Sequence, residues 1–355
     1  MSAAVGAVVP APVRRLGTTG LVYLALLVIV VLSTLLVGAQ GGNLLSRANL
    51  VDLLTRSSLL GFVAIGQTFV ILGRSLDLSV GHVMALSSLL GATTMAGDPA
   101  RIPLGIAVAL GAAALIGLVN GVVVAKLRVN AFIATLGMSL ILRGYLDTNY
   151  RGPAGNVPSV FQGFGYTRIG PVPVSTAVML GVAVLAIVLL RRSRFGFHLY
   201  AVGGSDEVAR LSGIRTDRVL IGAHVLCSVA AGIAGLLIAA RFGTGSALVY
   251  GSGYDLESIA AVVLGGTYLL GGRGGVGGTV AGVMILSVLD TVFNILAVDP
   301  FFKDVLRGTI IIAAVAIYAR RQLERRAARV RFGQSPPPTT PAAQPAVPAE
   351  PGARP

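Results

Sequence analysis

An all-α bundle of about ten membrane-spanning helices is the fold class that this sequence predicts, and three features predict it. Hydrophobic residues make up 54% of the 355 residues and charged residues only 12%, with a mean hydropathy of +0.83. A chain this apolar has lipid rather than water as its solvent. Apolar stretches close to the roughly 20 helical residues that cross a hydrocarbon core of about 30 Å recur along it, separated by short polar or glycine-rich breaks.

The long stretches are Gly20 to Gly38, Ser58 to Gly73, Ser79 to Ala96, Ile102 to Ala125, Val172 to Leu190, Val219 to Ala240 and Val280 to Val298. Each reads as a membrane helix by hydropathy. The others are shorter or interrupted. Ala131 to Leu146 contains Arg143, Ile259 to Leu270 is too short to cross alone, and Val305 to Ala319 carries Arg307 near its start.

Basic residues set the expected orientation, because Lys and Arg beside membrane helices stay on the cytoplasmic side. With the N-terminus inside, about 19 of the 28 basic residues fall in cytoplasmic segments, among them Arg14, Arg15, Arg74, Lys126, Arg128, Arg191, Arg192 and Arg194; the reverse placement leaves about 9 there. Both termini are therefore expected in the cytoplasm, with an even number of spans. The chain divides into a cytoplasmic arm (1–19), a transmembrane domain (20–319) containing a cytoplasmic segment (191–218), and a tail (320–355). The tail is basic at first and then rich in Pro and Ala without apolar periodicity, the composition of a disordered segment. Arg14 and Arg15 before an apolar run, with Gly38 and Ala39 after it, imitate a signal peptide. The run exceeds the 7–15 residues of an h-region and more spans follow, so an uncleaved first helix is expected.

Several function classes lack their residues. A formal charge of +14 invites a nucleic-acid reading, but the arginines lie between apolar spans rather than on one soluble face, so no nucleic-acid partner is expected. Cys227 is the sole cysteine and cannot form an internal disulfide. His82, His198 and His224 are scattered without metal-ligand spacing, so no metal site is expected. Neither lysine, Lys126 or Lys303, lies in a phosphate-binding loop, and any ATP hydrolysis must come from another polypeptide. Gly272, Gly274 and Gly277 spell GxGxxG with Asp290 beyond, but a long apolar helix surrounds them instead of a strand-helix-strand unit. A tight turn or a close helix approach explains these glycines better.

Two breaks carry polar groups into otherwise apolar surroundings. In Gly73-Arg74-Ser75-Leu76-Asp77-Leu78-Ser79-Val80-Gly81, a charged Asp inside lipid costs about 2.5–3.5 kcal/mol and requires a partner or water. Arg74 is an available partner. Asp77 either lines a pathway or caps the following helix. The second break runs from Gly251 to Gly278 with Asp255, Glu257 and Gly265-Gly266-Thr267-Tyr268. Interrupted helices in the two halves of a transporter commonly mark its central route and admit a weak inverted repeat; small-residue helix packing is the competing explanation.

The cytoplasmic segment has a different character. Ser205 can cap a short helix whose first turn holds Asp206 and Glu207, with Gly213 as its stop. Val208, Ala209, Leu211 and Ile214 exceed the apolar content of a solvated loop, so this element is expected to dock onto a partner.

Ordered along the chain, Gly66-Gln67-Thr68 through Gly81, Val119-Asn120-Gly121, Thr135-Leu136-Gly137, Ala201 to Ile214 and Ile259 to Gly274 resemble the ribose/xylose/galactose-type permeases of bacterial ABC importers over roughly residues 50 to 318. The resemblance implies a non-enzymatic permease dimer, homo- or heteromeric, in the bacterial cytoplasmic (inner) membrane. It further implies a cytoplasmic ABC ATPase that hydrolyses ATP and an extracytoplasmic sugar-binding protein, with no cofactor bound by this chain. Translocation-pathway candidates are Asp77, Ser79, Gly81, Gly265, Gly266 and Asp290. Candidates for coupling to the ATPase are Gly203, Ser205, Glu207, Ala209, Arg210 and Gly213. The chain departs from the family pattern where Gly73-Arg74-Ser75-Leu76 replaces a Gly-Gly-Ile, where Ser205 and Asp290 replace Asn, and at Tyr268. Other readings are a permease for branched-chain amino acids or nucleosides and an intramembrane enzyme using Asp77 and Asp290 as paired carboxylates.

Overall fold

The computed structural model describes residues 17–299 together with 302, 305, 308 and 309. Its helices in chain order are α1 (Thr18–Ala39), α2 (Arg47–Leu72), α3 (Val80–Met95), α4 (Ile102–Ala125), α5 (Ala131–Asn149), α6 (Ser159–Tyr166), α7 (Val174–Arg192), α8 (Arg194–Gly204), α9 (Asp206–Leu211), α10 (Thr216–Phe242), α11 (Tyr254–Leu264) and α12 (Val276–Ile295). Strand is confined, among the described residues, to an antiparallel pair between α6 and α7, β1 (Arg168–Ile169) and β2 (Val172–Pro173), with Ile169 opposite Val172.

The chain thus adopts the all-α polytopic architecture that its composition predicts. Among the described residues, six helical stretches are long and apolar enough to cross a membrane: Thr19–Ala39, Arg47–Leu72, Pro99–Ala125, Val174–Arg192, Thr216–Phe242 and Val276–Ile295; the expected span Ser79 to Ala96 is the shorter apolar helix α3. Two expected spans take other forms. Ile259 to Leu270 is only the end of the 11-residue α11 followed by a turn-rich return loop, and α5 carries Arg143 and Asp147 among its apolar residues. Apart from Val305, Gly308 and Thr309, the expected span Val305 to Ala319 lies outside the described residues, as do residues 1–16 of the arm and the whole tail.

Helix ends follow local chemistry. Ser46 accepts from Asn49 N at the start of α2, Asn130 from Phe132 N at α5 and Ser193 from Gly196 N at α8, each satisfying an amide that the first helical turn leaves unpaired. The α2 helix begins eleven residues before Ser58, because the Asp52–Arg56 ion pair at 2.6 Å, one turn apart, places charge in its first turns without breaking it.

The core is built around α2 and α10, whose inward residues are almost completely enclosed. By contrast α1 exposes Leu27, Leu32 and Leu35, an arrangement that hydrocarbon solvates and water would not. Close packing of α4 on α10 uses small residues in place of large ones: a methyl on Gly117 would meet Val225 Cα at 2.8 Å. In lipid, helix association depends on such backbone approach, since apolar side chains gain nothing by leaving one hydrocarbon for another.

Candidate functional site

The linker from α2 to α3 folds back into the protein and is tied there by polar side chains from three helices. Asp77 is completely buried. Its Oδ1 accepts from Ser79 N at 2.9 Å and Ser79 Oγ at 2.6 Å, while Oδ2 lies 3.4 Å from His224 Nδ1 of α10. His224 Nε2 is in turn 2.9 Å from Ser75 Oγ. From α4, Asn120 Nδ2 donates to Ser79 Oγ at 2.9 Å. From α5, Thr135 Oγ1 accepts from Leu78 N at 3.1 Å and Ser139 Oγ donates to Leu78 O at 2.8 Å.

Every group named in this network has a partner, as a buried polar cluster requires. The carboxylate of Asp77 meets His224 rather than Arg74. Arg74 is exposed and sits at φ 63°, in the left-handed region, where the chain reverses after α2. The resemblance sets a glycine in this stretch, and the backbone shows why: glycine takes that conformation without a Cβ clash. Gly81 is buried as the second residue of α3, beside the backbone of Tyr250.

The second break forms a half-helix and return. After α11, Gly266 turns the chain at φ 86° and the loop closes through Tyr268 N donating to Arg273 O at 2.8 Å and Gly275 N to Thr267 Oγ1 at 3.1 Å. Gly265 and Gly278 cross backbone to backbone: a methyl on Gly265 would lie 2.5 Å from the Gly278 carbonyl carbon. Thr68 of α2 and Thr279 of α12 share a buried hydrogen bond at 2.8 Å. No strand leads into α12, so the GxGxxG spelling belongs to this turn.

Both breaks converge on α8. Gly272 N donates to Leu72 O, the end of α2, at 2.9 Å, and any side chain on Gly203 would run into that same carbonyl and into Gly272 N. Tyr200 Oη donates to Gly274 O at 2.8 Å; burial raises this phenol above its ordinary value, with Arg191 pulling the other way, and so keeps the donor protonated. One residue later α9 begins. Ser205 Oγ accepts from Val208 N, Asp206 and Glu207 occupy the first turn, and Gly213 follows at φ 81°.

The six coupling candidates therefore separate by position. Gly203 and Ala209 are buried, Ser205 is a cap, and Arg210 is engaged with Asp206 at 2.6 Å and Thr216 at 3.3 Å. Glu207 and Gly213 are exposed, next to Val208 and to Leu211, which is 84% exposed.

Asp290 lies elsewhere, in an open cavity of about 170 Å³ between α2, α11 and α12, where Arg56, Ser252, Tyr254, Glu257 and Ser287 join it. Asp77 does not line this cavity. The two carboxylates that an intramembrane enzyme would pair therefore belong to different sites, and among the described residues no three His, Cys, Asp or Glu side chains gather as a metal site would need.

Comparison with known proteins agrees with this architecture. Residues 49–315 match the family described as branched-chain amino acid transport system / permease component. The chain belongs to this permease family. The permease is 36% identical to the ribose import permease protein RbsC of Escherichia coli strain K12 over 304 residues, which cover 84% of this chain and 93% of that protein. Against RbsC of Bacillus subtilis strain 168 the identity is 36%, covering 83% and 91%. Against the galactose/methyl galactoside import permease protein MglC of Haemophilus influenzae it is 31%, covering 80% and 91%. No solved structure matches the permease.

Sequence reasoning missed His224 and Asn120 as partners of the first break. They stand 147 and 43 positions from Asp77, and only folding brings them to it. The one local signal was polarity: Asn120 is the lone polar residue of α4, and His224 interrupts the apolar run 219–227 of α10, where a polar group needs a partner.

Proposed function

We propose that this chain is the membrane-spanning subunit of an ATP-driven importer and passes a monosaccharide of the ribose or galactose kind through a route formed with a second permease subunit. The observation that carries the cargo assignment is the similarity to ribose import permeases along more than nine-tenths of their length. The α9 element supports the energising step: anchored through Ala209 and presenting Val208 and Leu211, it offers a cytoplasmic ATPase an apolar knob on a capped, rigid helix. ATP is hydrolysed by that partner, and an extracytoplasmic binding protein delivers the sugar. Both termini face the cytoplasm of a bacterium whose inner membrane holds the complex, in accord with the distribution of basic residues.

On this reading nothing covalent happens to the solute. ATP-driven closure of the partner moves α9, and the permease alternates between outward- and inward-open forms. The buried network at Asp77 holds the first break at a fixed place among α4, α5 and α10. Gly265 fixes the second against α12.

The cargo is tested by uptake of labelled ribose, galactose and leucine into vesicles containing the permease with its cognate ATPase and binding protein. Sugar uptake that depends on ATP is expected. Leucine uptake without sugar uptake would transfer the chain to the second reading, which the family description favours. Coupling is tested by Leu211→Glu, which disturbs no internal pair as a change at Arg210 would. Reduced copurification of the ATPase is expected, and unchanged assembly with unchanged stimulated hydrolysis removes α9 from that role.

A further inference from the structure

A second polar cluster lies on the side of α5 that the chain leaves open. The buried residues of α5 are Thr135, Ser139, Leu142 and Leu146, a single stripe along the helix. Off that stripe, Arg143 Nε and Asp147 Oδ2 pair at 3.5 Å across one turn, with side chains 58% and 49% exposed. Tyr250, from the 3-10 turn Ala247–Ser252 ahead of α11, donates from its hydroxyl to Asp147 Oδ1 at 2.7 Å. The Arg143 guanidinium carbon is 5.8 Å from the centre of the Tyr250 ring, and His82 of α3 stacks on that ring at 4.9 Å and 7°. His82 Nδ1 is buried and has no hydrogen-bond partner.

Lipid around this arrangement would make it costly unless water reaches it. Arg143 and Asp147 stand twelve and sixteen residues beyond the first residue of α5, about 18 and 24 Å along the axis at 1.5 Å per residue, toward the far end of a helix about as long as a 30 Å hydrocarbon core is thick. An ionised pair exposed at that level is unfavourable against lipid and belongs on a protein-lined aqueous route. The chemistry offered there is specific. A sugar hydroxyl both donates and accepts, so adjacent hydroxyls can take one bond from the Arg143 guanidinium and give one to the Asp147 carboxylate, exchanging for the ion pair's own contacts. Tyr250, held flat by the stacked His82 ring, supplies a rigid wall.

We propose that Arg143, Asp147 and Tyr250, with His82 stacked behind the Tyr250 ring, form the contact station at which a small, neutral polyhydroxylated solute pauses on its way through the permease. This rests on the sugar-importer reading above and adds the residues that meet the cargo. Because each bond made to the solute replaces one made within the cluster, binding there is weak and release is easy, as a passage requires.

The test uses the permease assembled with its ATPase and binding protein. Gly144 is exposed with open space around it, and Cys227, the only native cysteine, is buried, so Gly144→Cys gives a clean labelling site on α5. A charged, water-soluble maleimide is expected to label it, and ribose or galactose supplied during turnover to slow that labelling. Arg143→Gln and Asp147→Asn are each expected to lower uptake of the transported sugar by about tenfold or more at normal membrane abundance, the loss of one charge-assisted hydrogen bond. Tyr250→Phe, which removes one hydroxyl oxygen, covers the case in which either charge variant fails to assemble; it is expected to raise the half-saturating sugar concentration. If the native importer carries ribose or galactose while Gly144→Cys stays unlabelled, or while Tyr250→Phe and the assembled charge variants transport normally, the station is overturned. If the native importer carries neither sugar, it is the cargo reading that fails.

Discussion

The surroundings of Asp77 and of Asp147 hold the same kinds of residue under opposite conditions. Asp77 is wholly enclosed, and its two oxygens are taken by Ser79 and His224. Asp147 also has two partners, Tyr250 and Arg143, yet half of its side chain is accessible. A buried carboxylate with every oxygen occupied holds structure in place, because losing any partner strands a polar group where no water replaces it. An accessible one can exchange partners at small cost, and exchange is what recognition of a passing molecule needs. In a membrane protein the presence of a charge is therefore less informative than whether its contacts are closed.

This contrast can be broken by substitution. Asp77→Ala is expected to have the largest effect, destabilising the folded permease by about 3–5 kcal/mol by leaving His224 and Ser79 unpaired; a detergent melting curve indistinguishable from the native one would refute the closed-network description. Asn120→Ala removes one hydrogen bond from the same network and is expected to cost about 1–2 kcal/mol, visible as a smaller drop in Tm. Arg74→Gly should act in the other direction. It relieves a left-handed non-glycine residue and is expected to add about 1 kcal/mol, so a lowered Tm would show that Arg74 makes a contact worth more than its backbone strain. Asp147→Asn completes the comparison, with an expected change in stability within about 0.5 kcal/mol despite its effect on uptake. A large loss of stability there would place Asp147 with Asp77 as a holding residue.

Composition and periodicity made the helical architecture legible because lipid imposes it: in hydrocarbon the backbone must satisfy itself, and helices do so. The α9 helix was equally readable, since Ser205, Asp206, Glu207 and Gly213 are local signals within a few residues of one another. Element starts were less readable. The first turns of α2 hold Arg47, Asp52 and Arg56, and the first turn of α11 holds Asp255 and Glu257. Hydropathy discards such residues, although i,i+4 pairing and the positive end of a helix favour them. The partner of Asp77 was not readable at all. Arg74 is near it in sequence, but a left-handed turn at Arg74 sends the chain back inward, and His224 comes from a helix well over a hundred residues away. The Arg143–Asp147 spacing was visible as an interruption of an apolar span, whereas its link to Tyr250 and His82 depends on a 3-10 turn that no hydropathy pattern announces.

The junction at Gly203 has a mechanical consequence. Between the end of α8 and the start of α9 there is one residue, Ser205, and α8 ends flush against both the Leu72 carbonyl and the Gly272 amide. Such a joint has almost no slack to absorb a displacement. A stroke delivered to α9 by an ATPase would reach the two interrupted segments together, geared to a single shaft, so that neither could swing while the other stayed at rest.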